Sequence, residues 1–371
     1  MRRRKGFLTV RAVGALLVVW AVVVLSAGRA VAADELYDAS GAAEIMESLD
    51  RETQKLLDQA GAGDGGIKGV TGQKLFDAMA YVVREKVAGP IKAICAILAV
   101  TVLTKLCGCF EEGETSDTAR LVGAIACTVA VAGPVIWLMT LCQRVTESAA
   151  AFLGVAAPVY AGLMTACGGV ATGSGYSFLT MLLGEMIPVL SAGFILPLLR
   201  IYLGLSVVSV LSEERLSKFT GSIYGFMKWT LVTAVTIYSG VLSVQAALNS
   251  QVDAASGKAV KLALSTGVPV VGGALGDAVT AIQNSLKIVK SGAGAFGVLA
   301  ALCIFLPAGA ECLMWSGVCM LGQAAGDLFA LPKVGEVLGA FASTVKLLLG
   351  VIVSVCAVCA ASAAAIIFIQ S

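Results

Sequence analysis

Histidine is absent from the 371 residues, which removes every His-dependent hydrolase, the HExxH metalloproteases and His-ligated haem or zinc. Charge is scarce too: Asp, Glu, Lys and Arg make up 13% of the chain, about half the share of a soluble domain. Aromatics reach only 6% and prolines number 8. The remainder is apolar. Hydrophobic residues are 58% of the chain, glycine occupies 42 positions and the mean hydropathy is +0.91, the profile of a helical membrane protein whose small residues let backbones approach. Disordered, collagenous, disulfide-scaffold and nucleic-acid-binding classes are excluded. The 11 cysteines all fall between Cys95 and Cys359, mostly in apolar runs, and read as small hydrophobes.

The charge that exists is unevenly placed. Residues 1–33 carry Arg2, Arg3, Arg4, Lys5, Arg11 and Arg29 and no acid. A basic start, an apolar stretch from Ala12 to Leu25 and the small-residue site Ala30-Val31-Ala32 follow the grammar of a secretory signal peptide over 1–32, with an uncleaved signal anchor as the alternative. Residues 33–88 are acidic and polar. Two helical patterns show there, Ile45, Met46, Leu49, Leu56, Leu57 and then Leu75, Phe76, Met79, Val82, Val83, Val87, so a small two-helix extracytoplasmic region is expected.

From residue 89 to 371 the apolar runs approach bilayer length. The clearest are 93–108, 121–142, 149–171, 229–248 and 347–369. The stretch 176–211 is interrupted by Glu185, Pro188, Pro197 and Arg200 and suits two short or broken helices. The weakly apolar 262–286 suits a re-entrant or interfacial hairpin, and 293–331 holds one span and part of another. The expectation is an all-α polytopic membrane protein with about seven or eight spans.

Glu185, Arg200, Asp277, Glu311, Asp327 and Lys346 lie in or beside apolar segments, where an unpaired charge costs several kcal/mol and turns inward. Such residues either carry function or pair to fix helix packing. Glu185 and Glu311 stand out, each with apolar neighbours and a nearby proline. The segment from Ser265 to Ala278 concentrates Pro269, Gly272, Gly273 and Asp277; helix breaking at this density either lines a polar path or forms a surface hairpin. A tight positive-φ turn at Gly272 and Gly273 is plausible by composition. Five small-xxx-small patterns occur, at Gly169/Gly173, Gly221/Gly225, Gly272/Gly276, Gly322/Gly326 and Gly335/Gly339. Cys356 and Cys359 have redox-motif spacing but sit in an unbroken apolar run and read as packing. Gly257-Lys258 lacks the first glycine and the Ser/Thr of a phosphate loop. No catalytic residue, cofactor site or metal site emerges.

The signal, the acidic two-helix ectodomain and above all the run from Lys261 to Ala278, KLALSTGVPVVGGALGDA, resemble the stage III sporulation protein AE family. The resemblance implies a multi-pass protein of the mother-cell membrane surrounding the forespore. Its implied partners are the other proteins of the stage III A sporulation operon and a forespore membrane protein, joined in a channel-like or secretion-like complex needed for late forespore development. It carries no catalytic residues over. The expected role is a scaffold or permease-like core and not an enzyme, with the lipid bilayer as partner, no nucleic acid, and homo-oligomerisation compatible with the chain. The rival is a stand-alone secondary transporter or permease of a small solute, for which the broken segments 176–211 and 262–286 would suit a binding site.

Overall fold

The structure, a computed structural model, describes residues 42–62, 72–110, 114–166, 170–211, 217–267 and 272–368. The signal-peptide reading of 1–32 lies outside them. Among the described residues the fold is all-helical. Three short polar helices, α1 (Ala42–Ser48), α2 (Arg51–Ala60) and α3 (Gly72–Lys86), precede α4 (Ala88–Phe110) and the 53-residue α5 (Glu114–Ala166). A broken rod follows: α6 (Val170–Leu179), a π-helical turn (Thr180–Gly184), α7 (Met186–Leu190), a second π turn (Ser191–Ile195) and α8 (Leu196–Leu211). Then come α9 (Ser217–Gly267), α10 (Gly272–Leu328) and α11 (Pro332–Phe368).

Five described helical stretches are long and apolar enough to cross a membrane: Ala88–Cys107, Thr118–Ala166, Met186–Leu211, Gly292–Leu328 and Pro332–Ile366. The count differs from the sequence expectation for stated reasons. The runs 121–142 and 149–171 fall largely on one helix, because Gln143, Arg144 and Glu147 between them sit on its surface and do not break it. The run 229–248 falls within α9, which is not among the five. In 262–286, α9 ends at Gly267 and α10 begins at Gly272, and the residues between them, where the turn of the expected hairpin would fall, lie outside the described residues; 293–331 is a single helix that continues through Pro307 up to Leu328.

The hairpin of α10 and α11 is the core. The most apolar window of Gly292–Leu328 is 94% buried, against 28% for Ala88–Cys107, so that stretch of α10 is enclosed by protein while α4 presents its surface outward. Two of the five glycine patterns face each other here. A Cβ at Gly326 would stand 2.8 Å from the Gly335 nitrogen, and one at Gly339 would stand 3.2 Å from the Gln323 amide. Only glycine at 326 permits this backbone contact, the close approach that small residues give membrane helices. By contrast a Cβ at Gly221 or Gly225 would meet nothing within 4 Å.

The hairpin turn is a Schellman close. Leu331 N–H bonds the Gly326 carbonyl at 2.8 Å and Ala330 N–H the Asp327 carbonyl at 3.3 Å, with Ala330 at φ 55 and Pro332 starting the next helix. The end of α2 uses the same device with the residue that suits it. Gly61 takes φ 87, with Ala62 N–H on Leu57 O at 2.9 Å.

Register follows from a few contacts. Helix α4 runs parallel to α10, with a Cβ at Gly89 3.9 Å from Trp315 and one at Gly322 3.2 Å from Ile97. Helix α5 runs antiparallel, Tyr160 Oη donating to Ala293 O at 3.5 Å. Helix α9 follows α11, with Leu231 3.7 Å from a Cβ at Gly350 and the Tyr238 hydroxyl 2.5 Å from Ser362 Oγ.

Candidate functional site

Glu311 is 8% exposed in the middle of the enclosed helix, where a lone carboxylate would be costly. Its partner comes from the polar N-terminal region. Lys86 Nζ, on the last residue of α3, lies 2.7 Å from Glu311 Oε1 and 3.4 Å from Glu52 Oε1 of α2. Burial alone would lower the Lys86 pKa; hydrogen bonding and charge attraction from Glu311, then Glu52, outweigh it and hold the ammonium above its ordinary 10.5. Three elements thus meet on one ammonium: α2, α3 and the central hairpin. The polar helices are otherwise fastened by packing. Ile45, Leu49, Leu56, Leu57 and Val82 join the hydrophobic core, and Gln54 Nε2 donates to the carbonyls of Met46 and Leu49 at 2.9 and 3.0 Å, tying α1 to α2.

The other intramembrane candidates do not gather around Glu311. Glu185 is half-buried between the two π turns. Its carboxylate lies 3.3 Å from a Cβ position at Gly154 of α5, with no hydrogen bond or ion pair among the described residues. The irregular backbone has a local cause. Pro188 and Pro197 lack the N–H that a regular helix needs, and the chain widens instead, with Glu185 N–H reaching Thr180 O and Leu196 N–H reaching Ser191 O; π turns of this kind recur at functional positions. Ser191 and Ser206 on the same rod are buried hydroxyls without a hydrogen-bond partner among the described residues. Arg200 is exposed and donates to Gln143 Oε1 at 3.1 Å, while Gln143 Nε2 donates to Glu147 Oε1 at 3.1 Å.

Pro269 lies outside the described residues. Gly272 and Gly273 open α10 with helical backbone, and Gly61 is the one described glycine with positive φ. The expected tight turn at 272–273 is therefore corrected: those glycines form the first turn of a helix. Asp277 follows on the same helix.

One polar cluster carried no sequence signal. Tyr176 Oη donates to Ser362 O at 2.9 Å, the Tyr238 hydroxyl shares a 2.5 Å hydrogen bond with Ser362 Oγ, and Ser362 Oγ donates to Val358 O at 2.8 Å when it acts as donor. The Tyr160 and Tyr176 rings are tilted with centroids 6.4 Å apart. A side chain at Gly297 would collide with the Tyr160 hydroxyl. These buried phenols join α5, α6, α9 and α11 at one height. Each hydroxyl is kept satisfied in an apolar interior by a backbone or serine oxygen. Cys359 lies about one turn from Ser362 and Cys356 nearly two, both as free thiols. No group of three or more Cys, Asp or Glu suited to a metal occurs among the described residues.

A bundle of long apolar helices around one enclosed hairpin, with a small polar helical cap fixed to it by an ion pair, defines a helical protein of membrane type. The chain belongs to the stage III sporulation protein AE family, whose model matches residues 54–370. It is 21% identical over 244 residues to the stage III sporulation protein AE of Bacillus subtilis (strain 168), a match covering 64% of this chain and 61% of that protein. No solved structure matches. Membership implies a role in sporulation.

Proposed function

We propose that the protein is a multi-pass component of a channel-like or secretion-like sporulation complex in the mother-cell membrane around the forespore, needed for late forespore development. It acts there as a non-catalytic scaffold or permease-like core. Its partners are the other stage III A operon proteins and a forespore membrane protein. The observation that carries this reading is the Lys86–Glu311 pair, which fixes a charged cap of three helices to the central hairpin. A polar platform held rigidly on a membrane bundle is what an assembly partner needs, and exposed Arg51, Glu52, Lys55 and Asp58 on α2 give it a recognisable surface. Co-purification from sporulating cells tests it: the other operon products should accompany the wild-type chain and be lost from a Lys86→Met variant that still reaches the membrane. Recovery of the chain alone, in a strain where its deletion leaves sporulation intact, would sink the proposal.

A second reading, a stand-alone transporter of a small solute, is favoured by Glu185, an acid with no ion pair among the described residues, on a helix broken by two π turns. It predicts solute uptake by the purified chain in vesicles that Glu185→Gln abolishes.

A further inference from the structure

Two prolines deprive two glycine carbonyls of their helical donors, and both glycines lie beside one carboxylate. In α5, Pro158 stands four residues after Gly154. On the rod, Pro188 stands four residues after Gly184. A proline has no N–H to give the carbonyl four residues back. At Gly184 the next N–H along, that of Val189, goes to the Glu185 carbonyl at 3.1 Å. The two glycines meet at one junction. A Cβ at Gly154 would stand 3.3 Å from Glu185 Oε1, and one at Gly184 would stand 3.8 Å from Leu153 of α5 and 3.8 Å from the Tyr238 ring of α9. The Glu185 carboxylate therefore reaches the turn of α5 that Pro158 opens, and the missing side chain at 154 leaves it room there.

A further oxygen belongs to the same wide turn of the rod. Thr180 is fully buried, and its carbonyl accepts the Glu185 N–H at 3.3 Å. Its methyl would lie 3.3 Å from a Cβ at Gly184, so the side chain stands against the junction. Thr104, Thr128, Thr146, Thr165 and Thr236 each spend the hydroxyl on the carbonyl four residues back. Thr180 Oγ1 has no hydrogen-bond partner among the described residues. It lies near the Tyr176 and Tyr238 hydroxyls, but those phenols are bonded to Ser362. Glu185 has no ion pair among the described residues. Glu147, the nearest other acid along α5, is about two turns from Gly154 and accepts from Gln143 Nε2 at 3.1 Å. The junction thus gathers a single negative charge with neutral carbonyl and hydroxyl oxygens.

We propose that Glu185, with the Gly154 and Gly184 carbonyls and the Thr180 hydroxyl, binds one alkali-metal cation between α5 and the rod. Carboxylate, carbonyl and hydroxyl oxygens are donors for hard cations. One carboxylate neutralises a monovalent ion, whereas a divalent ion would keep uncompensated charge in an apolar surrounding. Broken membrane helices that offer freed carbonyls are where sodium sites form. The ion gives each orphan oxygen the partner that the helix withholds, and it ties the rod to α5. The inference goes beyond both functional readings: in a scaffold the ion clamps the rod, and in a transporter it is a coupling ion.

The test uses the purified full chain in detergent at mildly alkaline pH, with sodium, potassium and choline chlorides exchanged at constant ionic strength. Circular dichroism reads the thermal unfolding midpoint. Sodium or potassium should raise it saturably, by about 2 °C at about ten times the half-saturating concentration, because an ion held only by the folded chain stabilises by mass action. Choline should not. Glu185→Gln should abolish the rise. Thr180→Val should move half-saturation up by about tenfold or more, as losses around a bound metal do, and it serves as the second variant should Glu185→Gln fail to fold. Gly204→Ala, on the rod away from the junction, should titrate as the wild type does. With choline as the only cation, Glu185→Gln should unfold as the wild type does, which separates loss of the ion from loss of the fold. A midpoint that neither ion moves would overturn the site, and so would a rise that survives undiminished in either variant. A midpoint moved through Glu185 by pH alone would replace the cation with a proton and overturn it equally. None of these outcomes touches co-purification with the operon products, so the site and the functional reading fail separately.

Discussion

The central hairpin and the outer rod are both strongly apolar, yet they hold their acids in opposite ways. In the hairpin Glu311 is enclosed, is hydrogen-bonded to Lys86 and sits on a helix that stays regular through Pro307. In the rod Glu185 is half-buried and unpaired among the described residues, and the helix widens twice around Pro188 and Pro197. Apolar composition alone thus does not set rigidity. What sets it is whether each polar group introduced into the interior arrives with a partner. The hairpin is a frame, closed by glycine contacts and an ion pair; the rod keeps hydroxyls at Ser191 and Ser206 that have no hydrogen-bond partner among the described residues.

The comparison breaks most readily at Lys86. Lys86→Met leaves the Glu311 carboxylate buried without its cation and should cost about 3 kcal/mol, because removing one partner of a buried pair strands the other. Thermal unfolding in detergent measures it, and a loss below about 1 kcal/mol would show that water already reaches Glu311. The pH dependence has a definite sign. Lys86 is held above its ordinary 10.5, so the stability it adds is complete below pH 10.5 and is lost as pH rises through the raised value.

Glycine packing comes next. Gly326→Val drives a branched side chain into the backbone of Gly335 and should cost at least about 2 kcal/mol, since backbone cannot swing aside as a side chain can. On the rod, Gly204 has nothing within 4 Å of its Cβ position, and Gly204→Ala should be neutral or stabilise by up to about 1 kcal/mol through helix propensity. Similar losses at both positions would erase the distinction between frame and rod.

The two acids give a smaller contrast. Glu311→Gln keeps a hydrogen-bond acceptor for Lys86 but removes the charge, and should cost about 1–2 kcal/mol. Glu185→Gln should stay within about 0.5 kcal/mol because no ion pair is lost. A large loss at Glu185, read by the same unfolding assay, would reveal a structural partner for it.

Much of this was legible in the chain. The cost of charge in an apolar run singled out Glu185 and Glu311, and hydrophobic spacing marked helix in the polar region through Leu56, Leu57 and Val82, although the first of the two expected helices is split at Leu49 and Asp50 into α1 and α2. Composition foretold an all-helical, membrane-type bundle. Three things were not legible. Gln143, Arg144 and Glu147 read as a break between two spans because a hydropathy profile records charge but not the helix face that carries it; on that face they meet Arg200 and Trp137 while the helix runs on. The glycines at 272 and 273 read as a turn, but glycine permits positive φ without requiring it, and a helical backbone costs them only propensity. The partners of Glu311, Tyr176 and Tyr238 lie more than a hundred residues away in sequence, and no local pattern announces contacts of that range.

The smallest predicted effect is an improvement, and it tests how rigidly the frame is closed. The hairpin turn places Ala330 at φ 55, a left-handed conformation that costs a residue with a Cβ about 1–2 kcal/mol. Ala330 is exposed, so a change there disturbs no packing. Glycine would relieve the strain but give the unfolded chain more freedom, an opposing term of about 0.5–1 kcal/mol. The balance favours Ala330→Gly by about 0.5–1 kcal/mol. At the end of α2 the same motif already holds Gly61 at φ 87, where Gly61→Ala should cost a similar amount in the opposite direction. Both changes are read as shifts in the thermal unfolding midpoint, each against the unchanged protein. Stabilisation at 330 paired with destabilisation at 61 would establish that the two turns share one backbone geometry. A loss of stability in Ala330→Gly would mean that the alanine methyl is held by contacts outweighing its strain, and that the hairpin is closed by packing at its tip as well as by the Gly326–Gly335 contact.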